Sequence, residues 1–172
     1  MEFGGYLQKG VQILQLDTDT IRQVYRDEDA LLPAILFVAL AGLASGVGQF
    51  SIRAMILGGV LMTLVSFVFV GLLHVLSRLF GGTATFLELY RPLGAAAPVN
   101  WVLAVPFIGP ILGFLAAIYC LVVAVIVVET TGKLPRSKSL VVVGLFFALI
   151  LFLYLIFFAV IGSLALLRWL AA

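Results

Sequence analysis

Residues 98–130 read PVNWVLAVPFIGPILGFLAAIYCLVVAVIVVET, 33 residues in which only Glu129 carries a charge. How the chain passes through this stretch decides the fold. As a single helix it would be about 50 Å long, well beyond the ~30 Å hydrocarbon core of a bilayer. Pro110 has no backbone N–H to donate, its ring clashes with the carbonyl of Pro106, and Pro106 disturbs the turn before it. With Gly109, the run Pro106-Phe107-Ile108-Gly109-Pro110 places two helix breakers and a flexible residue within five positions. The stretch therefore predicts two helices meeting in a turn at Gly109-Pro110.

The whole chain supports a membrane setting for those helices. Of its 172 residues 64% are apolar and 10% charged, and the mean hydropathy is +1.27. A soluble domain of this size has no means of hiding that much apolar surface, so lipid must solvate most of it. At roughly 20 apolar residues per crossing, there is material for four to six helices. The expected class is an all-α, polytopic transmembrane bundle with no separate soluble domain. A formal charge of +2 says little about nucleic acid, which is not an expected partner. Cys120, the single cysteine, lies mid-helix and leaves no intrachain disulfide to indicate a redox compartment. The first 30 residues are polar and carry no signal-peptide pattern, so the first span is expected to drive insertion.

Two regions follow: an amphipathic N-terminal segment, 1–30, and a membrane domain, 31–172. In the first, Leu7, Val11 and Leu14 fall at helical spacing, as do Ile21, Val24 and Tyr25 after the N-cap candidates Asp17-Thr18-Asp19. Two short helices lying on the membrane surface are expected. Spans are expected at about 31–50, 54–76, 93–108, 110–129 and 140–170. The five-residue link Gln49–Arg53 demands an antiparallel hairpin between the first two. Gly42 and Gly46 form a Gly-x-x-x-Gly face that lets a neighbouring helix approach closely; Gly109 and Gly113 repeat the spacing. Between the second and third spans, Gly81-Gly82 signals a turn, and Thr83 or Thr85 caps a short helix through Tyr90. That helix would rest Phe86, Leu87 and Tyr90 on the membrane and turn Glu88 and Arg91 to water.

The positive-inside rule votes between four and five crossings. With a break at Gly109-Pro110, eight of the ten Lys and Arg residues share the side of the N-terminus; Arg53 and Arg168 lie opposite. Without it the division is six against four. Five spans with a cytoplasmic N-terminus follow. All eight acidic residues then fall on the cytoplasmic side as well.

The polar residues are few enough to weigh one by one. His74 is the only histidine and shares a helix face with Arg78 near a membrane boundary, where snorkelling explains it and a ligand or proton role remains open. Asn100, inside the short third span, seeks a partner on a neighbouring helix or at a carbonyl freed by proline. Glu129 and Lys133 are spaced for an exposed i, i+4 pair. Arg53, Arg168 and Trp169 have the character of interfacial anchors. Asp27-Glu28-Asp29 lacks the alternating spacing of a calcium loop and reads as a solvated acidic turn. No nucleophile–base–orienter set, no phosphate loop and no metal-ligand spacing is present, so no catalytic residue, metal or cofactor is expected.

The segment LFGGTATFLELYRPLGAAAPVNWV, with Gly81-Gly82, Phe86, Tyr90, the small-residue run Gly94–Ala97 and the break Pro106–Pro110, resembles the Yip1 family. GVQILQLDTDTIRQVYRDEDA is similar to the N-terminal region of its short prokaryotic members. The resemblance covers about residues 10–160. It implies a five-span core and a non-enzymatic membrane protein, here in a prokaryotic inner membrane. Eukaryotic members act in the early secretory pathway and engage Rab-type small GTPases and membrane proteins through a longer N-terminal domain. Only about 30 residues stand there in this chain, so the carry-over of small GTPase binding is doubtful. The expected function is that of a scaffold or adaptor whose working face carries Arg78, Glu88, Arg91, Glu129, Lys133, Arg136 and Lys138. Its expected partners are membrane lipids, other membrane proteins or a second copy of the chain. Two alternatives stand beside it: a small transporter or channel-like subunit using the broken spans with Asn100, and an anionic-lipid-binding protein using Arg78, Arg91, Lys133, Arg136 and Lys138.

Overall fold

The computed structural model describes the backbone of residues 3–170 and the side chains of residues 3–159. Among these the elements are helices alone: α1 (Phe3–Leu14), α2 (Thr18–Arg26), a 3₁₀ turn (Glu28–Ala30), α3 (Leu31–Gly48), α4 (Ile52–Leu79), α5 (Phe86–Ala95), a 3₁₀ segment (Ala97–Ala104), α6 (Gly109–Gly132) and α7 (Arg136–Leu170). Four of them are long and apolar enough to cross a membrane: Glu28–Gly48, Ile52–Leu79, Gly109–Gly132 and Arg136–Ala159. Along α4 and α7, Ile52, Leu57, Val68, Phe152 and Leu155 are all exposed, a belt that only lipid can solvate. Arg168 and Trp169, expected as anchors, lie outside the described side chains.

The stretch 98–130 is divided, and the division differs from the expected one. The third span, expected as 93–108, is not an α-helix. Its residues belong to the last turn of α5, the 3₁₀ segment and a turn at Val105–Ile108. Pro92, Pro98 and Pro106 are too closely spaced to leave a run of intact i→i−4 bonds, and the tighter 3₁₀ winding is the result. The turn itself is made by Phe107, which holds a left-handed backbone (φ 64°). There the N–H of Ile108 donates to the Pro106 carbonyl (2.7 Å) and that of Gly109 to the Val105 carbonyl (2.8 Å). Gly109 and Pro110 are not the break; they open α6, where a missing N–H costs nothing because the first turn has no partner for it.

Glycine sets how the long helices meet. A Cβ on Gly42 would collide with the Gly58 carbonyl of α4, and one on Gly46 with the backbone of Met55. The relation is reciprocal, since a Cβ on Gly58 would strike the Gly42 carbonyl. α3 and α4 thus form a hairpin in backbone-to-backbone contact. Farther along, a Cβ on Gly48 would meet the Leu103 carbonyl, and one on Gly113 the Leu103 side chain. The end of α3, the end of the 3₁₀ segment and the start of α6 therefore come together at one end of the bundle.

The opposite end joins the C-terminal ends of α4 and α6. The Thr83 N–H donates to the Gly132 carbonyl (3.1 Å), and Lys138 Nζ reaches the Phe80 carbonyl (3.2 Å). α1 and α2 pack into the protein rather than resting on lipid alone. Ile13, Ile21 and Val24 are fully buried, Gly10 lies against the Ala95 carbonyl, and Tyr119 of α6 donates a hydrogen bond to the Leu14 carbonyl. Val11, by contrast, is exposed.

Gly42→Leu should destabilise the protein by about 2–3 kcal/mol or more, because the α4 backbone has no room to yield. Gly4, with open space around it, should accept leucine without effect. Heating in detergent followed by size-exclusion profiles measures both; equal midpoints for Gly42→Leu and wild type would refute the close contact.

Candidate functional site

Nearly all the described charged groups gather at the end where α4 and α6 terminate, and short-range hydrogen bonds arrange them. Asp17 caps α2: its side chain accepts from the Asp19 N–H (3.0 Å) and from the Thr20 hydroxyl (2.7 Å). The Thr20 bond, then that of the Asp19 N–H, holds the Asp17 carboxyl below the usual carboxylate range. Asp27 caps the 3₁₀ turn through the Asp29 N–H (3.1 Å), accepts from Tyr6 Oη (2.9 Å) and pairs with Lys9 (3.4 Å). Burial, and next the Asp27 bond, push the Tyr6 phenol up to about 12, so it remains a donor at physiological pH. Asp27 is thereby turned inward on α1, while Glu28 and Asp29 stay exposed.

α5 starts with a capping box. Thr85 accepts from the Glu88 N–H (3.3 Å) and the Glu88 carboxylate accepts from the Thr85 N–H (2.6 Å). This occupies Glu88 with its own helix. Two expectations for α5 are corrected. Tyr90 does not lie on the membrane: it is fully buried, stacked on Phe67 (4.5 Å between centroids) and hydrogen-bonded to Ser66 (2.9 Å). Arg91 does not face water: it is 8% exposed, and its Nη1 donates to the Tyr25 carbonyl (2.8 Å) while Nε has no partner. The cause is α2, whose apolar face covers α5 and turns a surface arginine into a buried tie between two helices.

The α6–α7 turn brings a further correction. Glu129 pairs not with Lys133 but with Arg136 across the turn, at 3.9 Å. Lys133 holds a left-handed backbone (φ 53°) at the C-cap of α6, which ends the helix before the i+4 position is reached. One Glu129 carboxylate oxygen is buried without a hydrogen bond. Arg78 and Lys138 serve the α4–α5 loop instead, through the Gly82 carbonyl (3.4 Å) and the Phe80 carbonyl (3.2 Å).

Between α2 and this turn lies a polar cleft of about 660 Å³, walled by Arg22, Tyr25, Arg26, Glu129, Thr130 and Lys133. Arg22 pairs with Asp19 (3.0 Å) and Arg26 Nε donates to Tyr25 Oη (3.0 Å). Among the described residues neither Arg26 nor Lys133 has a carboxylate within ion-pairing distance. The cleft is therefore net cationic and suited to an anionic group. Arg22 and Arg26 entered the sequence reading only as contributions to the charge count; their i, i+4 spacing was the signal available, and their meeting with Lys133 is tertiary.

The other two candidates sit elsewhere. His74, half-buried in α4, leaves Nδ1 buried and unbonded. Asn100, in the 3₁₀ segment, approaches the Cys120 thiol of α6. A cavity of about 190 Å³ between the helices is bounded by Cys120, Tyr90, Val70 and Phe146 and is almost wholly apolar. Asn100 is not among the residues that line it.

The model of the Yip1 domain matches residues 12–168, nearly the whole chain. No curated protein and no solved structure matches it.

Arg91→Ala should leave the Tyr25 carbonyl without its donor, at a cost of about 1.5–3 kcal/mol for a charge-assisted bond. Because the bond joins α2 to α5, amide exchange across residues 18–26 should accelerate at least tenfold while α6 stays protected. Unchanged exchange in α2 would show that Arg91 does not hold it.

Proposed function

The chain belongs to the Yip1 family and is an integral membrane protein, and from that premise we propose a five-span, non-enzymatic scaffold or adaptor that works through its charged end. The observation that carries the reading is the separation of the two ends. One end bears α2, the α4–α5 loop and the α6–α7 turn with their charges. The other is capped by Phe107, which is 91% exposed, and by Phe50 and Ile52, also exposed. A tip that carries only Arg53 among its described charges offers a soluble partner little to recognise, whereas the charged end presents Arg22, Lys133 and Arg136 on the surface.

Five crossings rest on the path between α5 and α6. Gly94 packs on Ala34 near the start of α3, and Leu103 lies against Gly48 at its end. The intervening residues therefore travel the length of α3. Eight residues of 3₁₀ helix rise about 16 Å, so with the end of α5 and the turn they suffice for a short crossing. Non-α backbone at that depth is tolerated where protein covers it, here α3 and α6. The positive-inside rule then puts the charged end in the cytoplasm of a prokaryotic cell.

Single cysteines at Thr83, Phe107 and Lys133, in a Cys120→Ser background, test the topology with a membrane-impermeant maleimide. Thr83 and Lys133 should react from the cytoplasmic side and Phe107 only from the other; Thr83 and Phe107 on one side would remove the third crossing. For the function, a photo-crosslinking residue at Arg22 should capture discrete protein adducts in native membranes and one at Phe107 none. Equal patterns at both ends would overturn the assignment of the working face.

A further inference from the structure

The cationic cleft continues into the membrane. On α6 the residues Leu121, Val122, Val125 and Ile126 lie on the stripe that leads, at i+3 and i+4 steps, to Glu129, Thr130 and Lys133. The upper part of that stripe walls the cleft. The lower part, with Leu140, Val143, Gly144 and Phe147 of α7, walls an apolar groove of about 340 Å³. Arg136 stands where the two meet: it borders the groove and pairs with Glu129 of the cleft. Gly144 opens onto the groove, where an added Cβ would meet nothing within 4 Å and a longer side chain would enter the free space.

We propose that this continuous track is a binding site for one anionic phospholipid, with its phosphate in the cleft and an acyl chain in the α6–α7 groove. Charge and position both select that occupant. The cations lining the cleft are Arg22, Arg26 and Lys133, with Arg136 at its mouth; the carboxylates beside them are Asp19, paired with Arg22 at 3.0 Å, and Glu129, 3.9 Å from Arg136. Arg26 and Lys133 are left to neutralise a phosphate. α7 begins at Arg136, so the positive end of its dipole adds to their field. From Arg136 to Phe147 the helix rises about 16 Å, close to half of the ~30 Å hydrocarbon core and hence the depth of one leaflet. A soluble phosphate would leave the groove empty, and a zwitterionic lipid would bring a cation into a cationic cleft. The site also separates the basic residues: Lys133 and Arg136 belong to it, while Arg91 is buried and Arg78 and Lys138 hold the α4–α5 loop.

Native mass spectrometry of the full chain, equilibrated with equal phosphatidylglycerol and phosphatidylcholine, tests it. One phosphatidylglycerol should be retained at least tenfold over phosphatidylcholine. Arg26→Ala with Lys133→Ala should abolish that preference, and Gly144→Leu should lower retention of phosphatidylglycerol severalfold. Equal retention of the two lipids would overturn the site, and so would glycerol phosphate displacing the lipid at comparable concentration. Should Gly144→Leu lower the thermal midpoint, Leu140→Trp gives a second readout on an exposed groove position. Its fluorescence should be quenched more by brominated phosphatidylglycerol than by brominated phosphatidylcholine, and equal quenching would overturn the groove. Crosslinking at Arg22 in membranes lacking phosphatidylglycerol keeps the scaffold reading separately testable.

Discussion

In hydrocarbon no apolar surface gains by leaving its solvent, so helices must be joined by contacts lipid is unable to make. In this protein those contacts are backbone against backbone. Gly42 and Gly46 admit the main chain of α4, Gly10 admits the Ala95 carbonyl, and Gly48 and Gly109 admit Leu103. Each joins a different pair of elements, and together they position the N-terminal helix, the hairpin and the broken segment. Side chains add to this where a polar group must be satisfied. Tyr90 with Ser66, Trp101 with the Phe37 carbonyl and Arg91 with the Tyr25 carbonyl each bridge two elements.

The proline-dense region between α5 and α6 depends on that arrangement. A 3₁₀ segment has poorer hydrogen bonds than an α-helix and tolerates lipid less well. It persists beside α3 because small residues let it lie close, with Gly94 on Ala34 and Leu103 on Gly48. The outcome is a molecule with unlike ends. One is a hydrophobic tip turned by Phe107; the other is a platform where α2 closes over α5 and α6. The phospholipid site proposed for the second end rests on this asymmetry. The same turn that terminates α6 at Lys133 places Arg136 at the mouth of a groove between α6 and α7.

Much of the helical architecture was legible in the residues. Long apolar runs and the Yip1 resemblance led to an all-helical membrane protein, and the prolines announced a break in 98–130 that falls at Phe107 instead of Gly109-Pro110, because hydropathy and proline chemistry act locally. The exact winding of 93–108 was not legible. Three prolines exclude a long α-helix, but whether the chain then becomes 3₁₀, extended or coiled depends on what lies beside it. The site was less legible still. Glu88 went to a capping box that Thr85 and Glu88 announce in their spacing, whereas Arg91 looked exposed only because the packing of α2 on α5 has no trace in the one-dimensional view. The Glu129–Lys133 spacing suggested a helical pair, yet the helix ended one residue too soon.

The sequence by itself determined that the chain lives in lipid, that it is helical, that charge collects away from the proline turn, and which family it belongs to. The first three follow from composition, periodicity and local backbone chemistry, which each residue carries with it; the family comes from likeness to the Yip1 domain over residues 12–168. Only the tertiary structure decided that Tyr90 and Arg91 are interior, that Arg136 takes the carboxylate of Glu129, and that Arg22, Arg26 and Lys133 face one cleft. The physical reason is that burial and ion pairing belong to pairs of elements far apart in the chain. Arg91 lies 66 residues from the carbonyl that holds it.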